Sequence, residues 1–317
     1  MDVRRSVLFM AINNPRFLRG AARHNCDGVI LDLEDALAER DKVRSRALPR
    51  TAYAEVSRGG ATVQIRINHM YWEADLDAAV WPGLSVINFP KAEFADEIRR
   101  LDRRIGELER LRGIRPGTIE IQASIETVRG VTNGYEIASA SPRVRIFGGG
   151  GMGYDVCRDL AVETLPGVAR ATDYYGIGET GLVARALGLH CVNGVRQGTG
   201  VTGDVISGDT AFDEATANRR AGLYAGITCL HPNRVDGINR GYTPTPDEVQ
   251  HARDVLELFE KLDGQGEVAG ELNGQPVDKW EAARARKLLE WSDACARRER
   301  EKAAARQRLA AAADPAS

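Results

Sequence analysis

Charged or strongly polar residues follow several short apolar runs of this chain, and they are the candidates for chemistry. They lie at Asp32–Asp35, Arg66–Asn68, Pro90–Lys91, Glu126–Thr127, Asp155 and His231–Asn233. One acid in such a place, Asp35 for example, could simply be a helix N-cap. Burying the whole set would cost several kcal/mol per ion unless a metal or an anionic ligand compensated the charge. We therefore expect these residues to form a binding site.

The residue types indicate which ligands this site would bind. Several carboxylates occur without a nearby cysteine or an HxxxH pair, which favours Mg2+ or Mn2+ over zinc. The planar guanidinium of Arg66 suits a substrate carboxylate or a developing enolate. Together these features predict a site in which a cation polarises the carbonyl oxygen of a 2-oxo acid.

The apolar runs alternate with helix-compatible segments, and this alternation predicts the fold that positions the polar residues. The runs are Ser6–Met10, Gly28–Leu33, Thr62–Ile67, Ser85–Phe89, Ile119–Ile125, Val144–Phe147, Cys191–Val195 and Ile227–Leu230. Such a series over residues 1–262 favours an α/β fold of the closed (β/α)8 TIM-barrel type, whose chemistry occupies the C-terminal strand ends. An open doubly wound sheet is the alternative, but the run Gly148–Gly151 does not fit its GxGxxG motif.

Composition argues against several other classes of protein. The 317 residues include 43 Lys and Arg against 45 Asp and Glu, unlike a cationic nucleic-acid-binding protein. No apolar run approaches the ~20 residues of a transmembrane helix, and no signal peptide is recognisable. The five cysteines lack CxxC spacing, so neither a zinc site nor a disulfide framework is indicated. We expect a soluble, cytoplasmic protein that binds neither nucleic acid nor membrane.

The alternation of apolar runs with helix-compatible segments ends after residue 262. Asp263–Gln275 is rich in glycine and polar residues, which predicts a mobile loop. Val277–Arg297 is compatible with a helix, so residues 263–297 are predicted to be a loop followed by a helical extension. The Ala-rich, charged tail over 298–317 is predicted to be a frayed helix or disordered.

Several sequence blocks together form a specific signature because of the order in which they occur. No single block would be sufficient alone. They are Arg5–Met10, Asn13–Leu18, Gly28–Ala36, Ile65–Asn68, Phe89–Glu93, Ile125–Gly130, Leu230–Asn233 and Tyr242–Pro246. This set resembles the HpcH/HpaI aldolase/citrate lyase family. Within it, the chain is most similar to the citrate lyase β-subunit-like branch, which includes malyl-CoA and citramalyl-CoA lyases. The resemblance implies a (β/α)8 barrel with a C-terminal helical extension, assembled as a homotrimer or hexamer.

The resemblance also implies roles for individual residues. Arg66 would contact the substrate, and Glu126 would bind Mg2+. Asp32, Glu34 and Asp35 would support the metal through bound waters, and Asp35 is in addition a candidate catalytic acid.

Further implied contacts lie in loops. Asp278 would be a catalytic acid contributed by a neighbouring subunit, with the N-cap of the last helix as the alternative. Asn14 and Arg16, after the first strand, are candidates for binding the substrate or its CoA group. Independently of the resemblance, Gly150 and Gly151 could bind a thioester or an anionic group through backbone N–H groups, with a simple flexible turn as the alternative.

The chain departs from the family pattern after the sixth strand, where a second metal-binding Asp is usual. An alignment without a gap puts Gly151 at that position, and the acid is lost. A short glycine insertion instead aligns Asp155, and Asp159 then matches a second acid four residues later. We prefer this second alignment, which makes Glu126 and Asp155 the predicted metal ligands.

The predicted function is a Mg2+-dependent retro-aldol or retro-Claisen lyase. It would cleave a 3-hydroxy-acyl thioester, or a related hydroxy acid, into a 2-oxo acid and an acyl thioester or acid. A malyl-CoA-type thioesterase is one alternative, because water could attack the same thioester. A divergent family member with an altered or lost metal site is another.

Overall fold

Eight parallel strands close into a barrel in the computed structural model, which describes residues 2–148, 171–193, 207–222 and 224–313. Each strand pairs with the next along the chain, and the last pairs with the first. The strands are β1 (Ser6–Ala11), β2 (Gly28–Asp32), β3 (Thr62–Arg66), β4 (Val86–Phe89), β5 (Glu120–Ser124), β6 (Val144–Gly148), β7 (His190–Asn193) and β8 (Gly226–Cys229). The predicted (β/α)8 barrel is confirmed.

Most of the described helices lie between consecutive barrel strands, and the last three follow β8. The helices are α1 (Pro15–Ala21), α2 (Glu39–Ser45), α3 (Pro49–Val56), α4 (Trp72–Ala79), α5 (Ala95–Leu111), α6 (Val128–Thr132), α7 (Gly134–Ala138), α8 (Ala171–Ala186), α9 (Gly208–Ala221), α10 (Val235–Tyr242), α11 (Pro246–Gly264) and α12 (Lys279–Ala313). In α5, Ile98, Leu101, Ile105 and Leu108 recur every three or four residues, and all four are buried. No helix in the described part of the chain combines the length and the apolar character needed to cross a membrane.

The strand register brings polar residues together at the C-terminal end of the barrel. Asp32, the last residue of β2, pairs with Arg66 of β3, and Arg66 pairs with Asn88 of β4. Paired residues of adjacent strands project from the same face of a sheet. The fold therefore places the side chains of Asp32 and Arg66 next to each other before any loop contributes.

The C-terminal extension begins with α11 and includes a β-hairpin where a mobile loop was predicted. Strands β9 (Ala269–Leu272) and β10 (Gln275–Asp278) pair in antiparallel fashion across Asn273 and Gly274. Both turn residues have positive φ, 53° and 77°, as a two-residue Asn-Gly turn requires. Val277 is buried against α11 and α12. Helices α11 and α12 thus share one apolar cluster with the hairpin, and the boundary predicted at residue 263 falls inside α11.

The tail is helical and packed over residues 298–313, which corrects the prediction of a frayed or disordered segment. These residues complete α12, a helix of 35 residues. Lys302 is fully buried, and its Nζ donates hydrogen bonds to Asp27 Oδ1 at 2.6 Å and to the carbonyl of Asn25 at 2.8 Å. Arg298 donates to the carbonyls of Asp27 and Gly60, at 2.6 and 2.7 Å. Because these partners precede β2 and β3, the tail covers the N-terminal end of the barrel.

Asp27 can bind Lys302 because its carboxyl group is ionised although it is buried. Arg5 donates to it through Nε at 2.8 Å, Nη2 at 3.0 Å and the backbone amide at 2.9 Å. Burial alone would raise the pKa of Asp27, but Arg5 and Lys302 outweigh burial and lower it.

Candidate active site

An ion pair between Asp32 and Arg66 forms the centre of the candidate site. Arg66 donates from Nε to Asp32 Oδ1 at 2.7 Å and from Nη2 to Asp32 Oδ2 at 2.8 Å. The backbone amides of Glu34 and Ala36 donate to the same two oxygens, at 3.0 and 2.7 Å. Each Asp32 oxygen thus accepts two hydrogen bonds, so this fully buried carboxylate fixes the orientation of the guanidinium.

Glu34 lies between the two cations of the site. Its Oε2 is 3.0 Å from Arg66 Nη1, and its Oε1 accepts from Lys91 Nζ at 2.6 Å. Asp35 is 59% exposed, 3.3 Å from Lys91 Nζ and 4.0 Å from Arg66 Nη1. The carboxylates predicted to support a metal thus form ion pairs with Arg66 and Lys91, and the two cations are held close together.

Burial and charge set the ionisation of these groups. Burial raises the pKa of Glu34, although Arg66 and Lys91 oppose that rise. For Arg66, burial favours the neutral form, but hydrogen bonds to Asp32 and the charges of Asp32, Glu34 and Glu126 outweigh it and raise the pKa. The pKa of Lys91 is raised in the same way, by Glu34, Glu126 and Asp35 against burial. Both cations therefore stay charged at neutral pH.

Lys91 has an unusual backbone conformation. Its φ is 53°, in the left-handed region, where a residue with a Cβ loses about 1–2 kcal/mol relative to the right-handed form. Such strain persists only where the surrounding structure enforces it, and it is concentrated at functional sites. The conformation places Lys91 Nζ beside Glu34 and Asp35.

Glu126 lies two residues beyond the end of β5 and is partly buried. Thr127, not Glu126, caps helix α6, because its Oγ accepts from the amide of Gly130 at 3.0 Å. Glu126 also contributes to the pKa values of Arg66 and Lys91, which places its charge near both. A capping role therefore does not account for this acid.

The described residues supply only part of the predicted metal site. Asp155, Gly150 and Gly151 lie outside the described residues, as does Asp159. Within the described ranges, no group of three His, Cys, Asp or Glu side chains is arranged to bind a metal ion. Carboxylate oxygens are nonetheless the ligands that Mg2+ prefers, and Mg2+ often binds to one or two protein carboxylates together with waters and substrate oxygens. Glu126 fits that chemistry.

Two other predicted binding residues lie at the start of α1. Asn14 Oδ1 accepts from the amides of Arg16 and Phe17, at 3.1 and 3.3 Å, and so caps the helix. The Arg16 side chain is exposed. A role for either residue in binding the substrate stays a prediction.

Asp278 occupies the N-cap of α12. Its Oδ1 accepts from the amides of Trp280 and Glu281, at 2.7 and 3.2 Å, so the capping alternative describes its contacts within one chain. Its role in a neighbouring subunit's site stays a prediction.

Several polar residues near the site were not singled out by the sequence. Ser124 Oγ donates to Asn88 Oδ1 at 2.7 Å, and Gln122 Nε2 donates to Ser124 Oγ at 3.3 Å. His69, just beyond β3, and Glu97, at the start of α5, form a hydrogen-bonded pair in which Nε2 and Oε1 are 2.9 Å apart. The sequence did contain a signal for Ser124, Asn88 and Gln122, because each is a polar residue inside an apolar run that was predicted to be a strand.

Comparisons with known proteins agree with this architecture. The sequence profile of HpcH/HpaI aldolase/citrate lyase matches residues 5–197. Citrate lyase subunit beta of Leuconostoc mesenteroides subsp. cremoris is 28% identical over 304 residues, covering 92% of this chain and 94% of the relative. A (3S)-malyl-CoA thioesterase of Cereibacter sphaeroides is 30% identical over 301 residues, covering 92% and 95%.

A solved structure shares the fold along most of the chain. The CitE protein of Mycobacterium tuberculosis, in complex with magnesium, acetoacetate and coenzyme A, superimposes with a TM-score of 0.70 at 23% identity. The match covers 92% of this chain and 98% of that one. The profile match and the full-length relatives confirm the resemblance seen in the sequence blocks: the chain belongs to the HpcH/HpaI aldolase/citrate lyase family.

Proposed function

We propose that the protein is a Mg2+-dependent carbon–carbon lyase. It would cleave a 3-hydroxy-acyl thioester, or a related hydroxy acid, into a 2-oxo acid and an acyl thioester or acid. The observation that carries this proposal is the Arg66 guanidinium, held by Asp32 beside Glu34 in a member of this family. The relatives named citrate lyase and the magnesium-bound CitE structure support the reaction class and the metal.

Two carboxylates would hold the metal in this proposal. Glu126 and Asp155 would each provide an oxygen, and substrate oxygens and water would supply the other ligands. When bound, Mg2+ supplies positive charge that polarises the carbonyl group of the 2-oxo acid.

Arg66 would bind the substrate oxygen that becomes anionic as the bond breaks. Both terminal nitrogens of a guanidinium carry two N–H groups, so Arg66 retains donors after contacting Asp32 and Glu34. The guanidinium also lies 4.7 Å from the centre of the Phe9 ring, which restricts its movement. A donor fixed in advance towards developing charge is typically a large contribution to catalysis.

Asp278 would take part in proton transfer in the site of a neighbouring subunit. Its position on the β9–β10 hairpin, next to the 70% exposed Trp280, is compatible with a contact to a second chain. We therefore propose a homo-oligomer, a trimer or hexamer, in which the extension of one chain completes the site of another. A cytoplasmic location also stays a prediction.

A thioesterase is the second candidate, favoured by the 30% identical relatives named (3S)-malyl-CoA thioesterase. The test is incubation with Mg2+ and malyl-CoA, citramalyl-CoA or citryl-CoA, followed by product analysis. Release of glyoxylate, pyruvate or oxaloacetate with an acyl-CoA identifies a lyase. Free CoA with an intact hydroxy diacid identifies a thioesterase, and no turnover with Mg2+ would contradict both.

A further inference from the structure

His69 and Glu97 form a hydrogen-bonded pair at the rim of the candidate site. His69 follows β3, three residues after Arg66, and its Nε2 is 2.9 Å from Glu97 Oε1. The centre of the imidazole ring lies 5.2 Å from the centre of the ring of Phe89, the last residue of β4. The His69 side chain is 31% exposed, so the pair borders solvent.

Glu97 is itself fixed to the loop that carries Lys91. Its Oε2 accepts from the backbone amides of Glu93 and Phe94, both at 2.9 Å. Glu97 therefore joins three segments: the start of α5, residues 93–94 and, through His69, the end of β3. Lys91 lies between Phe89, which contacts His69, and Glu93, which contacts Glu97.

The neighbouring residue Ala92 is held from the other side. Its amide donates to the carbonyl of Ser124 at 3.2 Å, and its carbonyl is so close to Gly130 that a Cβ there would lie 2.5 Å away. Helix α6 thus supports one side of the loop, and the His69–Glu97 pair supports the other. This arrangement explains how a lysine stays in the left-handed region at φ 53°.

We propose that the His69–Glu97 pair is a positioning device that holds Lys91 in its left-handed conformation and so directs its ammonium group to Glu34. The expected effect of this pair on activity rests on the proposed function, whereas its effect on the conformation of Lys91 does not. The pair adds a residue whose contribution changes with pH, because His69 is an ion-pair partner of Glu97 only when protonated.

The charged groups around His69 fix the direction of that pH dependence. Glu97 on α5, Glu93 in the β4–α5 loop and Glu34 after β2 are all acidic, and the hydrogen bond to Glu97 is the main reason that the pKa of His69 is raised. Burial alone would raise the pKa of Glu97, but the hydrogen bonds from His69 and from the amides of Glu93 and Phe94 lower it. The ion pair is therefore complete between the lowered pKa of Glu97 and the raised pKa of His69, and it is lost as the pH rises through the latter. We expect kcat/KM to fall over the same range, because a less firmly held Lys91 no longer fixes Glu34, which also pairs with Arg66.

A double-mutant cycle tests whether His69 acts through Lys91. The variants are His69→Ala, Lys91→Met and the double variant, assayed with Mg2+ and whichever malyl-CoA, citramalyl-CoA or citryl-CoA thioester the wild type converts. We expect His69→Ala to lower kcat/KM about tenfold in the wild-type background and less than about twofold in the Lys91→Met background. Equal losses in both backgrounds would overturn the inference. His69→Gln, which keeps a hydrogen-bond donor without a titrating charge, should restore part of the activity and remove the pH dependence assigned to His69.

Limited digestion with trypsin provides a readout that does not depend on turnover. Cleavage after Lys91 should be several-fold faster in His69→Ala than in the wild type, because the loop is less restrained. His251→Ala is the matched control, since His251 is an exposed histidine on α11. If no thioester is converted by the wild type, the proposed function fails and the cleavage rate alone decides this inference. Unchanged cleavage after Lys91 would refute it in either case.

Discussion

Asp32→Asn is a sharp test of the site because Asp32 accepts four hydrogen bonds and an asparagine has only one acceptor oxygen. Each Asp32 oxygen receives one bond from Arg66 and one from a backbone amide, at 2.7–3.0 Å. Whichever way the new amide group turns, its NH2 faces two N–H donors. The substitution therefore breaks two of the four hydrogen bonds and removes the negative charge that balances Arg66.

The expected magnitudes follow from this geometry. Removing one partner of a buried ion pair costs about 3–5 kcal/mol, and the remaining contact of Arg66 with Glu34 favours the lower value of about 3 kcal/mol. For 317 residues, at an unfolding entropy of about 2.1 cal/mol/K per residue, this loss lowers Tm by about 4–5 °C. We expect kcat/KM to decrease about 100- to 1,000-fold, as when one fixed donor to developing charge is removed.

The assays are thermal and denaturant unfolding, followed by thioester cleavage at saturating Mg2+. Asp77→Asn is the matched control, because Asp77 forms a surface ion pair with Arg104 at 2.6 Å in which both side chains are well exposed. That control should cost less than about 1 kcal/mol. If Asp32→Asn were no more harmful than the control in both assays, Asp32 would not be the residue that fixes Arg66.

Three further predictions concern the barrel base and the metal. Lys302→Ala should lower the free energy of unfolding by about 3 kcal/mol, since it removes one partner of buried Asp27 while Arg5 remains. Lys287→Ala, on the exposed side of the same helix, should change it by less than about 0.5 kcal/mol, and equal losses would contradict the packed tail. The lowered pKa of Asp27 adds stability that is fully present above the ordinary Asp pKa of about 3.9 and is lost as the pH falls through the lowered pKa. The stabilities of the wild type and Asp27→Asn should therefore converge in acid titrations below the ordinary pKa. Glu126→Gln should weaken Mg2+ binding at least tenfold by calorimetry, and unchanged affinity would remove Glu126 from the metal site.

The strands and the location of the site were predictable from the sequence for a simple reason. In a parallel barrel each strand is a short apolar run, and its C-terminal end faces the common mouth. Polar residues that end such runs, Asp32 and Arg66 among them, must therefore converge. The hairpin turn was also detectable in principle, because Asn273-Gly274 is a strong two-residue turn signal that the glycine-rich composition obscured.

The tail shows what local sequence cannot reveal. Residues 298–313 are charged and rich in alanine, a composition that an exposed, fraying helix would share. They are ordered because Lys302 and Arg298 meet Asp27, a buried carboxylate more than 270 residues earlier. Only the folded barrel creates that partner, so the prediction of a frayed helix or a disordered segment was wrong for residues 298–313.

The sequence by itself determined the fold, the family and the meeting of Asp32, Arg66 and Lys91 at the barrel mouth, because apolar strands, their polar ends and the family's sequence blocks are all local features. Only the tertiary structure decided what those side chains do to one another. It pairs Asp32 with Arg66 through the β2–β3 register, shares Glu34 between two cations and holds Lys91 in a left-handed conformation. These outcomes depend on distances of a few ångströms between segments far apart in the chain, which no local pattern encodes.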